Sequence, residues 1–327
     1  MISLIAPAGN YDMGVEALAR GADELYAGLK NWSLRSPCFE MTLDDIRRLL
    51  HATQEKGKTL RVCLNTYPWE GDLPSFDSEV ERLVNMGVRS FVLADVGNIT
   101  VVRRRYPDVS IQASVACDIR NIDDVRSLDD AGASAVTLLW PTRSFIAQIR
   151  RETKLDVLIF AYGYSNYTYR ARCYMSSYLR HAFDSRSAAR EAASGSFNRE
   201  GFCNRACKCH WRISSGEFRI NDVTMNSSPF LLIDQLPGLL RAGATGLKVQ
   251  GREYSTGIVI EAIRLYREVL DRFTGDPDLE AFPEETVRRA IAVDHARQRE
   301  MRERTGVMIR EMLGVEPTAH VLEGSKI

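Results

Sequence analysis

Cys203, Cys207 and Cys209 place three thiols within seven residues, and Cys173 and Cys38 lie further upstream. Thiolates grouped this way in a large chain bind metal more readily than they form a disulfide framework, and the odd total of seven cysteines points the same way. Structural zinc sites usually use paired CxxC knuckles. Here the spacings are CxxxC and CxC, and iron–sulfur clusters tolerate wider and scattered spacing. The spacing therefore favours a cluster first, zinc second and unmetallated thiols third. Arg170, Arg172, Arg205 and Lys208 stand beside the cysteines and would offset a tetra-thiolate charge. Cys209 competes with Cys207 as a ligand, and His210 is read as lying outside the ligand set. Cys63 falls inside an apolar run and Cys117 just after one, so both are read as packing residues.

A second group of residues suits substrate binding. Arg170, Arg172, Arg205 and Arg252 carry planar guanidinium forks that match carboxylates. Tyr162 and Tyr164 open a tyrosine-rich stretch that either lines an aromatic pocket or packs in the core. A peptidase would need an activated nucleophile with a base. The sequence has no HExxH helix and no Ser-His-Asp signature, and a Cys207–His210 pair lacks a third orienting group.

Such residues need a scaffold, and the apolar pattern supplies one. Strands are predicted at Ile2–Ala6, Glu24–Ala27, Leu60–Leu64, Ser90–Leu93, Ser110–Ala113, Val136–Leu139, Val157–Phe160 and Gly246–Val249. Amphipathic helices are predicted between them, over Asp44–Ala52, Ser78–Asn85 and Phe145–Arg151. A glycine recurs where a helix must stop and a strand begin, in Gly21-Ala-Asp, Gly87-Val-Arg, Gly132-Ala-Ser and Gly243-Ala-Thr. Eight strands alternating with helices predict a closed (β/α)8 barrel, with an open doubly wound sheet as the alternative. Barrels carry chemistry on the loops that follow their strands. Cys38 follows strand two, and Tyr162–Phe230 forms a cysteine-bearing insert after strand seven, so four thiolates can converge above the mouth. The expected organisation is a barrel over residues 1–273, with the insert at 162–230, and a helical extension over 274–327.

The chain has 327 residues, with 43 basic and 43 acidic side chains. That balance gives no global electrostatic case for nucleic acid or anionic lipid. The opening residues lack a signal-peptide pattern, and no apolar run is long enough to span a membrane. A cytoplasmic location is expected.

Five short stretches, at the opening and the close of the barrel, carry a resemblance to a known family. Leu4-Ile-Ala-Pro-Ala-Gly9-Asn10 and Gly21-Ala-Asp-Glu-Leu-Tyr26-Ala-Gly28 resemble the opening of the collagenase-like peptidases, family U32. Leu232-Ile-Asp-Gln-Leu-Pro237, Leu247-Lys248-Val-Gln-Gly251-Arg252 and Ala262-Ile-Arg-Leu-Tyr266-Arg267 resemble their closing strand, turn and helix. The resemblance implies oxygen-independent hydroxylation with a four-iron four-sulfur cluster on four cysteines and prephenate as hydroxyl donor. Members of this kind include the ubiquinone-pathway pair UbiU and UbiV and proteins that hydroxylate RNA bases. Cys38, then Tyr162-Gly163 to Ala171-Arg172-Cys173, then Cys203 and Cys207 is similar to the UbiV arrangement. The resemblance thus implies those four cysteines as ligands and a small aromatic or quinone-precursor substrate. It also implies a second family member as possible partner, with RNA-base hydroxylation, a non-catalytic cluster-bearing subunit and peptidase activity as the other readings.

Overall fold

Short apolar runs bounded by glycine turns can bury both faces only if they pair side by side under a layer of helices. The computed structural model describes residues 2–34, 40–164, 210–224 and 228–313; for 210, 213–214, 222–224 and 308–313 it describes the backbone alone. Seven consecutive parallel strands lead the chain: β1 (Ser3–Ala8), β2 (Glu24–Gly28), β3 (Thr59–Leu64), β4 (Ser90–Leu93), β5 (Ser110–Ala113), β6 (Ala135–Leu138) and β7 (Asp156–Phe160). Four more, β8 (Tyr162–Tyr164), β9 (His210–Ser215), β10 (Phe218–Thr224) and β11 (Pro229–Leu231), precede β12 (Gly246–Lys248). Strand β12 pairs with β7 on one side and β1 on the other, which closes the predicted eight-stranded barrel.

Helices α1 (Tyr11–Ala19), α2 (Leu43–Glu55), α3 (Leu73–Met86), α4 (Val96–Arg105), α5 (Ile122–Asp130) and α6 (Arg143–Glu152) cover the first strands. Helices α7 (Leu236–Arg241), α8 (Thr256–Gly275) and α9 (Glu284–Leu313) complete the outer layer. All four predicted junction glycines are left-handed, with φ from 95° to 110°. That conformation would strain any side chain and lets each of these helices stop with three or four residues left before its strand. Asn10 of the opening motif caps α1, its side chain accepting from the Met13 amide at 2.8 Å. Among the described residues no helix is long and apolar enough to cross a membrane.

Alternation along the strands separates two cores. Outward residues such as Leu25, Val62, Phe91 and Ile159 pack under the helices, while Ile5, Tyr26, Cys63, Val92, Ala135 and Leu158 fill the barrel interior. At the N-terminal end of the interior, the Arg61 Nε donates to Glu24 at 2.5 Å and its Nη1 to Ser90 Oγ at 3.2 Å. The insert leaves β7 as an antiparallel pair, β8 with β11, and contains a second hairpin, β9 with β10.

Helix α9 packs against α8, and its buried stripe is partly charged. Ala290, Val293, Asp294, Arg297, Met301 and Thr305 are buried at helical spacing. Arg297 is fully buried and forms an ion pair with Asp294. Its Nη2 also donates to the Gly163 carbonyl at 2.9 Å and the Phe230 carbonyl at 3.4 Å, one on each strand of the insert's stem.

Candidate site at the barrel mouth

The family-like stretches Leu4–Asn10, Gly21–Gly28 and Leu247–Arg252 meet at the C-terminal end of the barrel. A Cβ on Gly9 would lie 2.1 Å from the Arg252 carbonyl oxygen, and one on Gly28 would lie 1.9 Å from Arg252 Nη1. Only glycine lets the β1 and β2 ends accept the backbone and the guanidinium of Arg252 so closely. Arg252 Nη1 donates to Ser33 Oγ at 3.0 Å, and the Tyr26 hydroxyl donates to the Val249 carbonyl at 2.9 Å. The motifs therefore form one unit in space, although 223 residues separate Tyr26 from Val249.

Lys248 closes β12 at an inward position of that unit. It is 4% exposed, with its ammonium 4.1 Å from the Tyr26 ring centroid and 5.8 Å from that of Phe160. Burial is the main cause that pulls its pKa down, to about 8, and the positive charges of Arg61 and Arg252 push the same way. Cys63 and Glu24 oppose the shift. Arg252 also lies near Tyr26, 5.8 Å from the ring centroid.

Around the mouth, Asn65 links loops. Its Nδ2 donates to Ser114 Oγ and its Oδ1 accepts from the Leu34 amide, both at 3.2 Å. Leu34 immediately precedes residues 35–39, and after them the Met41 amide donates to the Gly28 carbonyl at 2.7 Å. The insert's stem is rooted at the same end, where the Ala161 amide donates to Lys248 O and the Leu232 amide to Ala161 O. Both cysteine-bearing segments thus leave from one end of the barrel. Trp140, at the end of β6, is 57% exposed and faces Phe230 of the stem, with ring centroids 5.5 Å apart.

The predicted site residues divide in two. Cys38, Cys173, Cys203, Cys207, Cys209, Arg170, Arg172 and Arg205 lie outside the described residues, as does the segment 185–198. Arg252 is at the mouth. Tyr162 and Tyr164 are buried against the guanidinium of Arg297, whose Cζ lies 4.6 and 4.8 Å from their ring centroids. Tyr162 also packs on Tyr266 at 5.9 Å. Burial raises both tyrosine pKa values, which keeps them neutral. Of the other two thiols, Cys63 is part of the interior layer, and Cys117 donates to the Ala94 carbonyl at 3.2 Å. Burial pushes the Cys117 thiol up to about 12, the state of a packed rather than a reactive cysteine. Among the described residues no three His, Cys, Asp or Glu side chains gather as a metal site.

Sequence reasoning missed Lys248 and Arg297 as positioned groups. The signal for Lys248 was present, since period-two alternation from Gly246 turns it inward within an apolar strand.

Comparison with known proteins agrees with this architecture. Residues 9–304 match the model of "Peptidase family U32". The tRNA hydroxylation protein P1 of Bacillus subtilis is 24% identical over 84% of this chain and 64% of its own length. The 23S rRNA 5-hydroxycytidine C2501 synthase of Escherichia coli is 26% identical over 83% of this chain and 39% of its own length. A collagenase of Porphyromonas gingivalis is 21% identical over 85% of this chain and 68% of its own length. The chain thus spans less than two thirds of the two hydroxylation relatives. The solved structure of the U32 peptidase Mk0906 has the same fold, with a TM-score of 0.51 at 10% identity over 78% of this chain and 95% of that one. Sequence model and barrel agree, and the chain belongs to peptidase family U32.

Proposed function

We propose that this protein serves oxygen-independent hydroxylation, as the catalytic barrel or as one subunit of a pair. The observation that carries the reading is the shared root of the two cysteine-bearing segments at a barrel mouth that holds Lys248 and Arg252 without a carboxylate partner among the described residues. An anionic thiolate-bound cluster suits such a mouth, because fixed positive charges in a water-poor site stabilise negative charge strongly. Cys38, Cys173, Cys203 and Cys207 would hold a four-iron four-sulfur cluster, with Cys209 as the alternative fourth ligand and zinc as the alternative metal. The cluster would supply one-electron chemistry.

The chain's own residues have separate tasks. Arg252, held by Ser33 and by the space at Gly28, would orient a carboxylate, such as that of a prephenate-like hydroxyl donor. Arg170, Arg172 and Arg205 stand beside the proposed ligands in sequence and would add positive charge. Tyr162 and Tyr164 seat Arg297, which fixes the stem of the insert. The acceptor on this reading is a small aromatic or quinone-precursor molecule.

A second acceptor, an RNA base, has its own support. Relatives are named for tRNA and rRNA hydroxylation, so balanced net charge does not argue against RNA here. The exposed Trp140 at the rim offers a face on which a base could stack. Peptidase activity has less support, because neither described thiol is placed as a nucleophile.

The test is anaerobic reconstitution with iron and sulfide. Iron uptake should fall in Ala variants at Cys38, Cys173, Cys203 and Cys207 and stay unchanged at Cys63 and Cys117. A wild-type chain that takes up neither iron nor sulfide refutes the reading. Small phenolic acids and RNA transcripts, each offered with the reconstituted protein and prephenate, then separate the two acceptors.

A further inference from the structure

We infer that Lys248 and Arg252 together form a carboxylate-binding subsite on the Tyr26 ring, inside the barrel mouth. The inference rests on the proposed function and deepens it by naming a second cationic residue for the carboxylate, but it needs no cluster.

Buried charges are normally paired, because the desolvation of an ion costs several kcal/mol. Lys248 is buried, at 4% exposure. The groups around it are the Tyr26 and Phe160 rings, the Cys63 thiol, Arg61, Arg252 and Glu24. Glu24, the single carboxylate among them, is engaged by Arg61 at 2.5 Å. Arg252 is 6% exposed and donates to Ser33 Oγ, and no carboxylate pairs with it among the described residues. Two cations therefore repel one another across one aromatic side chain. Contact with a ring face offsets part of that cost. A ligand anion supplies what the described residues withhold.

Geometry narrows the anion. The guanidinium fork takes a planar carboxylate through two parallel hydrogen bonds, and a lysine adds a point charge. Tyr26 and Phe160 set an apolar floor beside the ammonium, which suits a small organic acid. The position agrees with the habit of barrels of binding anions after their last strands.

Isothermal titration calorimetry on the full chain, purified without reconstitution, tests the subsite with malonate, malonamide and inorganic phosphate as probes. Malonate should bind one to one, and malonamide should not. Lys248→Met and Arg252→Gln should each weaken malonate at least tenfold, while Lys248→Arg retains binding and so shows that a cation, and not the fold alone, is required. Binding to the wild type should weaken between pH 7 and pH 9 as Lys248 loses its proton, and Lys248→Arg should be level over that range. Equal binding of malonate and malonamide, no binding of malonate, or unchanged affinity in Lys248→Met overturns the subsite. Phosphate binding more tightly than malonate overturns the carboxylate assignment. A chain that takes up iron but ignores malonate refutes this inference alone.

Discussion

Replacing Lys248 by Met should stabilise the fold at neutral pH. Methionine fills a similar volume and carries no charge. Burial and the neighbouring arginines lower the lysine pKa from 10.5 to about 8. At about 1.4 kcal/mol per unit, the folded state bears roughly 3 kcal/mol for holding the proton. The sign follows from linkage. Below pH 8 both states keep the proton and the full cost is felt. Between pH 8 and 10.5 the unfolded chain holds a proton that the folded chain has shed, so stability rises with pH. The lost contact with Tyr26 offsets about 1–2 kcal/mol. Lys248→Met should therefore be more stable than the wild type by about 1–2 kcal/mol at pH 7, and by less at pH 10. Urea denaturation at the two pH values measures the difference without adding salt. A variant less stable than the wild type at pH 7, by a margin that does not change at pH 10, would show that the ammonium is a paired structural charge, and the reasoning would fail.

Three further outcomes are expected. Gly28→Ala places a methyl group 1.9 Å from Arg252 Nη1; malonate affinity should drop at least tenfold while the urea midpoint reports a loss of about 1–3 kcal/mol from overpacking. Arg297→Ala takes the paired cation from the buried Asp294, which keeps its hydrogen bond from Gln298, and removes the donor to Gly163 and Phe230; unfolding free energy should fall by about 3–5 kcal/mol, and Arg297→Lys should recover little of it, since a lysine cannot span both carbonyls and the carboxylate. For Asp23, burial alone would raise the pKa, but the Leu4 amide, Lys58 and Arg267 together hold it below the usual carboxylate value. That stabilisation is present above the unfolded pKa and lost as pH falls through the folded one, so the gap between wild type and Asp23→Asn in urea melts should narrow from pH 7 to pH 3.

The barrel was legible because buried parallel strands read as short apolar runs and the helices before β2, β4, β6 and β12 stop at a glycine. Strand ends shifted where local chemistry hid the pairing. Strand β1 was expected to end at Ala6, yet it runs to Ala8. Pro7 lies beyond Ile5, the last residue of β1 in register with β12, so its missing N–H costs no bond on that side. The inner residues of α9 were harder to read. Ile291 and Val307 look like core residues but are exposed, while Asp294 and Arg297 occupy the buried stripe. An ion pair can take an apolar position only when its partners are present, and those partners are Tyr162, Tyr164 and two carbonyls more than sixty residues away in sequence. Lys248 was readable as a motif letter but not as a site, because its importance rests on the lack of a free carboxylate facing it among the described residues.

Helix α9 also decides when the mouth becomes one body. Arg297 holds the insert's stem, and the same helix reaches the turn after β12, where Glu300 accepts from the Ser255 amide at 2.6 Å and Arg304 donates to the Glu253 carbonyl at 3.1 Å. Chain synthesis delivers this helix after every other described element. Until it is made, the insert's stem lacks its Arg297 contacts and the turn after β12 lacks those of Glu300 and Arg304.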